Sequence, residues 1–117
     1  SLRAVLAASC ALAGLRFALI GWGVHSLWLL VLAQLLHAAT FGAYHASAVA
    51  IVHRLFTGAV AARGQTLHSS VAYGLGGVVG TLLAGWSWGA LGPELSFTLS
   101  ALAGLLATAL IIWKVRV

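Results

Sequence analysis

The stretch "LWLLVLAQLLHAATFGAYHASAVAIV", residues 27–52, contains no Asp, Glu, Lys or Arg. A helix needs about 20 predominantly apolar residues to cross the hydrocarbon of a bilayer, and this run exceeds that length. Three further runs are of similar kind: Ala4–Trp22, Ser69–Leu91 and Ser96–Trp113. With 62% hydrophobic and 6% charged residues in 117 and a mean hydropathy of +1.09, the chain has too little polar surface to cover a water-soluble domain. The expected fold class is therefore an all-α integral membrane protein with four transmembrane helices. Apolar segments continue to the end instead of giving way to a polar mature chain, so the first is not read as a secretory signal.

Three breaks separate the spans. Gly23–Ser26 is read as a tight turn, His53–Gln65 as a longer polar connection, and Gly92-Pro93-Glu94 holds the one proline and the one acid. Arg3, Arg54, Arg63, Lys114 and Arg116 then gather at one side, and the two short turns lie at the other. By the positive-inside rule both termini of the segment are cytoplasmic. A formal charge of +5 distributed in this way is a topology signal and excludes nucleic acid as a partner. Cys10 stands alone, with neither a disulfide partner nor companion metal ligands, and reads as a packing residue. The chain holds no methionine and starts almost directly in a membrane helix, so it is expected to be part of a larger protein, although removal of an initiator before Ser1 would look the same.

At 100° per residue, Gln34, His37, Phe41, Tyr44 and His45 of the quoted stretch share an arc of about 100°. Leu29, Leu32, Leu36 and Val49 point largely elsewhere. A polar and aromatic stripe of this kind suits a bundle interior or water-filled cavity. The plainer alternative is that His37 and Gln34 hydrogen-bond neighbouring helices; five aligned residues favour the cavity. Along the next span Gln65, Ser69, Tyr73, Gly76 and Gly80 share a face that continues to Ala84, and Gly85 and Gly89 add a second four-residue step. Small residues at this spacing let backbones approach, so Gly76, Gly80, Ala84, Gly85 and Gly89 are expected to pack against another helix, and Gly80→Leu is expected to harm the bundle more than Gly92→Leu. Dense glycine would also let the helix bend.

"LAQLLHAATFGAYHASAVAIVHRLF" (residues 32–56) followed by "RGQTLHSSVAYGLGGVVGTLLAGWSWGALGPELSF" (residues 63–97) resembles the last four helices of a major facilitator superfamily transporter. The resemblance is nearest to the proton symporter branch that includes lactose permease, the nucleoside symporters and the phenylpropionic acid permease-like proteins. It implies helices nine to twelve of a twelve-helix fold, a place in the cell (inner) membrane, and secondary active transport of a small solute by alternating access with protons as the coupled ion. It also implies the remaining transporter helices as partners beside the lipid bilayer.

The resemblance bears on Arg16, a charge inside an apolar run. In lactose permease-like symporters an arginine of helix nine and a histidine of helix ten line the cavity, and Arg16 and His37 match those positions. Independently of the family, an arginine keeps its charge and is cheapest when it faces water, a carboxylate or an anion, while a histidine titrates near neutral pH. Snorkelling is the alternative for Arg16, but the nearest turn is about 9 Å away at 1.5 Å per residue. One departure from the permease pattern is Thr40, which stands where a proton-carrying glutamate would be. His37 and His45, or helices outside this chain, would then carry the proton, with a uniporter as the variant without coupling. The expected substrate or proton pathway thus comprises Arg16, Gln34, His37, Phe41, Tyr44, His45, Gln65 and Tyr73.

Two readings of other classes compete. A four-helix membrane cytochrome would ligate haem between His45 and His68, and a purely structural membrane subunit would need no site at all. His37 and His45 lie about 12 Å apart along one helix and cannot share a metal, so no metal or other cofactor is expected. With one carboxylate in the chain, no nucleophile with its base and acid, and no phosphate loop, the protein is read as not an enzyme.

Overall fold

The computed structural model describes residues 1–23 and 25–115; Val24, within the first turn, and Arg116, counted above among the basic residues of one side, lie outside the described residues. Helix α1 spans Leu2–Trp22, and the Ser1 hydroxyl caps it by accepting from the Ala4 amide. Helix α2 spans Leu27–Leu55. A 3-10 turn at Gly58–Val60 leads into α3, Ala61–Ser69, a π turn at Ser70–Leu75, and α4, Gly76–Leu91. Helix α5 spans Pro93–Lys114. Four helical runs, Leu2–Trp22, Leu27–Leu55, Gly58–Leu91 and Pro93–Lys114, are long and apolar enough to cross a membrane.

The second connection is far shorter than His53–Gln65. Only Phe56 and Thr57 are outside helical structure between α2 and the third span, Gly58–Leu91, with Gly58 at a φ of 63° making the reversal. The residues expected to form a loop are polar, but "AARGQTLH", residues 61–68, has no proline and consists mostly of helix formers, so it extends the third span by about two turns instead. Gly92, at a φ of 93° that side chains rarely adopt, makes the last turn. Pro93 then opens α5 at the position where a missing amide hydrogen costs nothing, and Glu94 and Lys114 lie at the ends of the helix dipole that suit their charges.

Burial is inverted relative to a water-soluble bundle. Trp28 (81% exposed), Leu82 (68%) and Leu106 (61%) point outward, whereas the interior collects small and hydroxyl-bearing residues. Ser9, Thr40 and Ser47 are buried, and each hydroxyl donates at 2.7 Å to the carbonyl four residues earlier, of Val5, Leu36 and Ala43 respectively. A polar group satisfied by its own helix costs little in a lipid-facing fold, and its small side chain permits close packing.

Helix α1 lies at the centre, flanked by α2 and α5. Its contact with α5 is backbone to backbone: a Cβ on Gly104 would sit 3.0 Å from the Gly14 amide nitrogen and 3.1 Å from the Cys10 carbonyl. Leu6, Ala48 and Ile51 form a buried cluster with Leu2, Tyr44 and Ile111 at the end of the bundle that carries the basic residues. At the opposite end Gly21 meets Phe97, and the Trp22 indole donates to Thr98 at 2.8 Å. Successive spans are thus antiparallel.

The third span is held to α2 along its first half and to α5 near its far end. Gln65 donates to the Val49 carbonyl of α2 at 3.0 Å, and Gly64 packs under the Phe56 ring. Far along the span, buried Ser87 and Ser96 share a 2.8 Å hydrogen bond with α5. Beyond the first anchors, the glycines of the expected packing line meet no other helix among the described residues. A Cβ at Gly80, Gly85 or Gly89 would meet nothing within 4 Å, and one at Gly76 only its own helix at the Val71 carbonyl. Gly80 and Ala84 instead border a cleft of about 290 Å³ toward Leu99 and Ala103 of α5. Among the described residues it is the Ala84 position of this line that meets another helix, the Ser96 hydroxyl of α5 donating to its carbonyl at 3.5 Å.

Candidate functional site: a cleft between the first two spans

A cleft of about 240 Å³ opens between α1, α2 and α5. Helix α1 lines it with Ser9, Cys10, Ala13, Arg16 and Phe17, helix α2 with His37, Thr40, Phe41 and Tyr44, and α5 with Gly104. On each of the first two helices these residues recur every three or four positions, so one face of each helix supplies its wall. Gly104 matters here because its missing side chain lets α5 close the floor against Cys10 and Gly14.

Arg16 is half-buried. Its guanidinium carbon stands 4.5 Å from the centroid of the Phe17 ring, and its Nε is buried without a hydrogen-bond partner. The one carboxylate of the chain, Glu94, belongs to the turn at the end of the bundle away from the basic residues. The cleft thus carries a fixed positive charge that no acid of this chain neutralises. A ring ladder runs from it along α2: His37 and Phe41 have centroids 5.9 Å apart, and Phe41 and His45 lie stacked at 6.1 Å. His45 Nδ1 then reaches the Tyr73 hydroxyl of the third span at 3.1 Å.

Four of the eight residues named from sequence, Arg16, His37, Phe41 and Tyr44, therefore share the cleft. His45, Tyr73 and Gln65 form a second group on the seam between α2 and the third span, and Gln34 is exposed and borders neither. Ser9, Cys10, Thr40 and Gly104 complete the cleft and were not among them. The spacing Ser9, Ala13, Arg16 repeats every three or four residues on an otherwise apolar helix and is the signal that would find the first. Thr40 is buried, its hydroxyl donating to the Leu36 carbonyl at 2.7 Å. His68 stands beside this second group. Its ring meets Tyr73 edge-on at 6.1 Å, and its Nε2 is buried without a partner. His45 and His68 thus both pack on Tyr73, which a haem between them would have to displace.

The MFS_1 like family model matches residues 1–99. No curated protein and no solved structure matches the chain. Matched over most of its length, and built of four helices able to span a membrane, the chain belongs to the MFS_1 like family, within the major facilitator superfamily of membrane transporters.

Proposed function

We propose that this chain is the last part of a secondary active transporter, helices nine to twelve of a twelve-helix fold. It moves a small solute by alternating access together with protons, as in the branch that contains lactose permease. The observation that carries the reading is the meeting of Arg16 and His37 in one cleft walled by α1 and α2. Arg16 supplies a charge that persists at every working pH, and His37 an imidazole that can bind and give up a proton. Because Thr40 is tied to its own helix, the proton falls to His37 and to His45 below it on the ladder. The basic ends of the spans face the cytoplasm of a cell inner membrane, and both termini of the segment lie there.

The test is uptake into proteoliposomes of the full-length protein, screened over sugars, nucleosides and organic anions with an imposed proton gradient. Accumulation that collapses with the gradient is expected, and His37→Ala/His45→Ala is expected to abolish accumulation while downhill exchange continues. Undiminished accumulation by the double variant, with unchanged pH dependence, would assign the proton to other helices.

A further inference from the structure

Tyr73 lies inside the π turn Ser70–Leu75, and that position decides where its hydroxyl goes. In an unbroken α-helix the residue eight places after Gln65 would lie about 80° past it around the axis. The wider π turn brings Tyr73 back toward α2, so that Gln65 and Tyr73 both reach that helix, at Val49 and His45. Turns of this kind inside helices concentrate at functional sites. Within and just beyond it, a Cβ on Gly74, Gly77 or Gly80 would meet nothing within 4 Å among the described residues, so these positions leave room for a change of angle.

We propose that His45 and Tyr73 form a proton-sensitive clasp across the seam between α2 and the third span, with the π turn as the hinge it holds. With His45 neutral and its proton on Nε2, the Tyr73 hydroxyl donates to Nδ1. When a proton binds at Nδ1, the direction reverses: Nδ1–H donates to the Tyr73 oxygen, the phenol keeps its own hydrogen, and the bond becomes charge-assisted and stronger. Among the described residues, the titratable group packed against His45 from another element is Tyr73 of the third span, with His68 on the Tyr73 ring behind it; on α2 itself Tyr44 is its neighbour in sequence, and His37 lies two turns away across Phe41. None is a carboxylate. The Tyr73 oxygen is therefore the acceptor that the structure gives the charged imidazole. Proton binding and closure of the seam become reciprocal: each favours the other, and opening the hinge releases the proton more readily. Tyr73 is a positioning residue in this scheme.

The inference builds on the reading of His45 as a proton carrier, but its test needs no solute, so clasp and transport can fail separately. Spin labels at Leu35→Cys on α2 and Val78→Cys on α4, both exposed positions, in a Cys10→Ala background of the full-length protein in nanodiscs, report the angle of the hinge as a distance distribution. Between about pH 8.5 and pH 5.5, a range that spans imidazole titration, the ratio of closed to open populations is expected to rise about fivefold, the scale of a neutral hydrogen bond becoming a charged one. Tyr73→Phe, which keeps the ring, is expected to remove the pH response, and His68→Gln to preserve it. His45→Gln, which keeps a polar group but cannot titrate, is expected to give one distribution at both pH values. A distribution that ignores pH in the labelled parent, or a full response in Tyr73→Phe or His45→Gln, overturns the clasp.

Discussion

The seam between α1 and α5 and the middle of the third span are both rich in small residues, yet they serve opposite ends. Gly14 and Gly104 face each other so closely that either Cβ would stand about 3.0 Å from backbone of the other helix. Gly80, Gly85 and Gly89 face open space. Four-residue spacing of glycine therefore says that a helix can be approached, not that it is. The difference lies in anchorage. Helix α1 is gripped along its whole length by α5, whereas among the described residues the polar links of the third span run to α2 through Gln65 and Tyr73 and to α5 through Ala84 and Ser87.

The sharpest way to break this contrast is to fill both faces. Gly104→Leu drives a side chain into Gly14 and Cys10 and is expected to cost about 3 kcal/mol or more, enough to lower the yield of folded protein. Gly80→Leu in the same full-length background is expected to stay within about 0.5 kcal/mol if that face meets lipid or a water-filled space. Thermal aggregation in detergent compares them, and an equal loss would mean that helices outside this chain close on the Gly80 face. Gly92→Leu comes next. At a φ of 93° a leucine is strained by about 1–3 kcal/mol, so the loop glycine is now expected to be more sensitive than Gly80, the reverse of the order that spacing alone suggests. Ser87→Ala is the mildest. It removes the 2.8 Å bond to Ser96, whose hydroxyl retains the Ala84 carbonyl at 3.5 Å, and about 1 kcal/mol is expected.

Legibility in the sequence follows the same division. The spans and the shared face of His37, Phe41 and Tyr44 could be read because hydropathy and a regular 3.6-residue period report on each helix by itself. The start of the third span is hidden by its own composition: Arg63 and Gln65 look like a loop, but in the helix Arg63 stays exposed and the Gln65 amide is satisfied by the Val49 carbonyl. Partners of glycines were illegible because spacing names no neighbour. A regular helical period already sets Tyr73 on the face of Gln65, but the π turn at Ser70–Leu75 that brings both side chains to α2 leaves no mark in that period.

The central claim is that the cleft holding Arg16 and His37 is a watered pathway and not a lipid-facing seam. Cysteine accessibility tests it without a known solute. In a Cys10→Ala background of the full-length protein, His37→Cys and Leu106→Cys are treated with a hydrophilic methanethiosulfonate in membranes. Leu106 points outward from α5 and is 61% exposed in the isolated segment, so its cysteine is expected to face hydrocarbon and remain unmodified, because the reagent and the thiolate it attacks both require water. The account predicts that His37→Cys is modified at least tenfold faster than Leu106→Cys. Equal and negligible labelling at both positions would contradict it, and would return Arg16 and His37 to the role of packing residues.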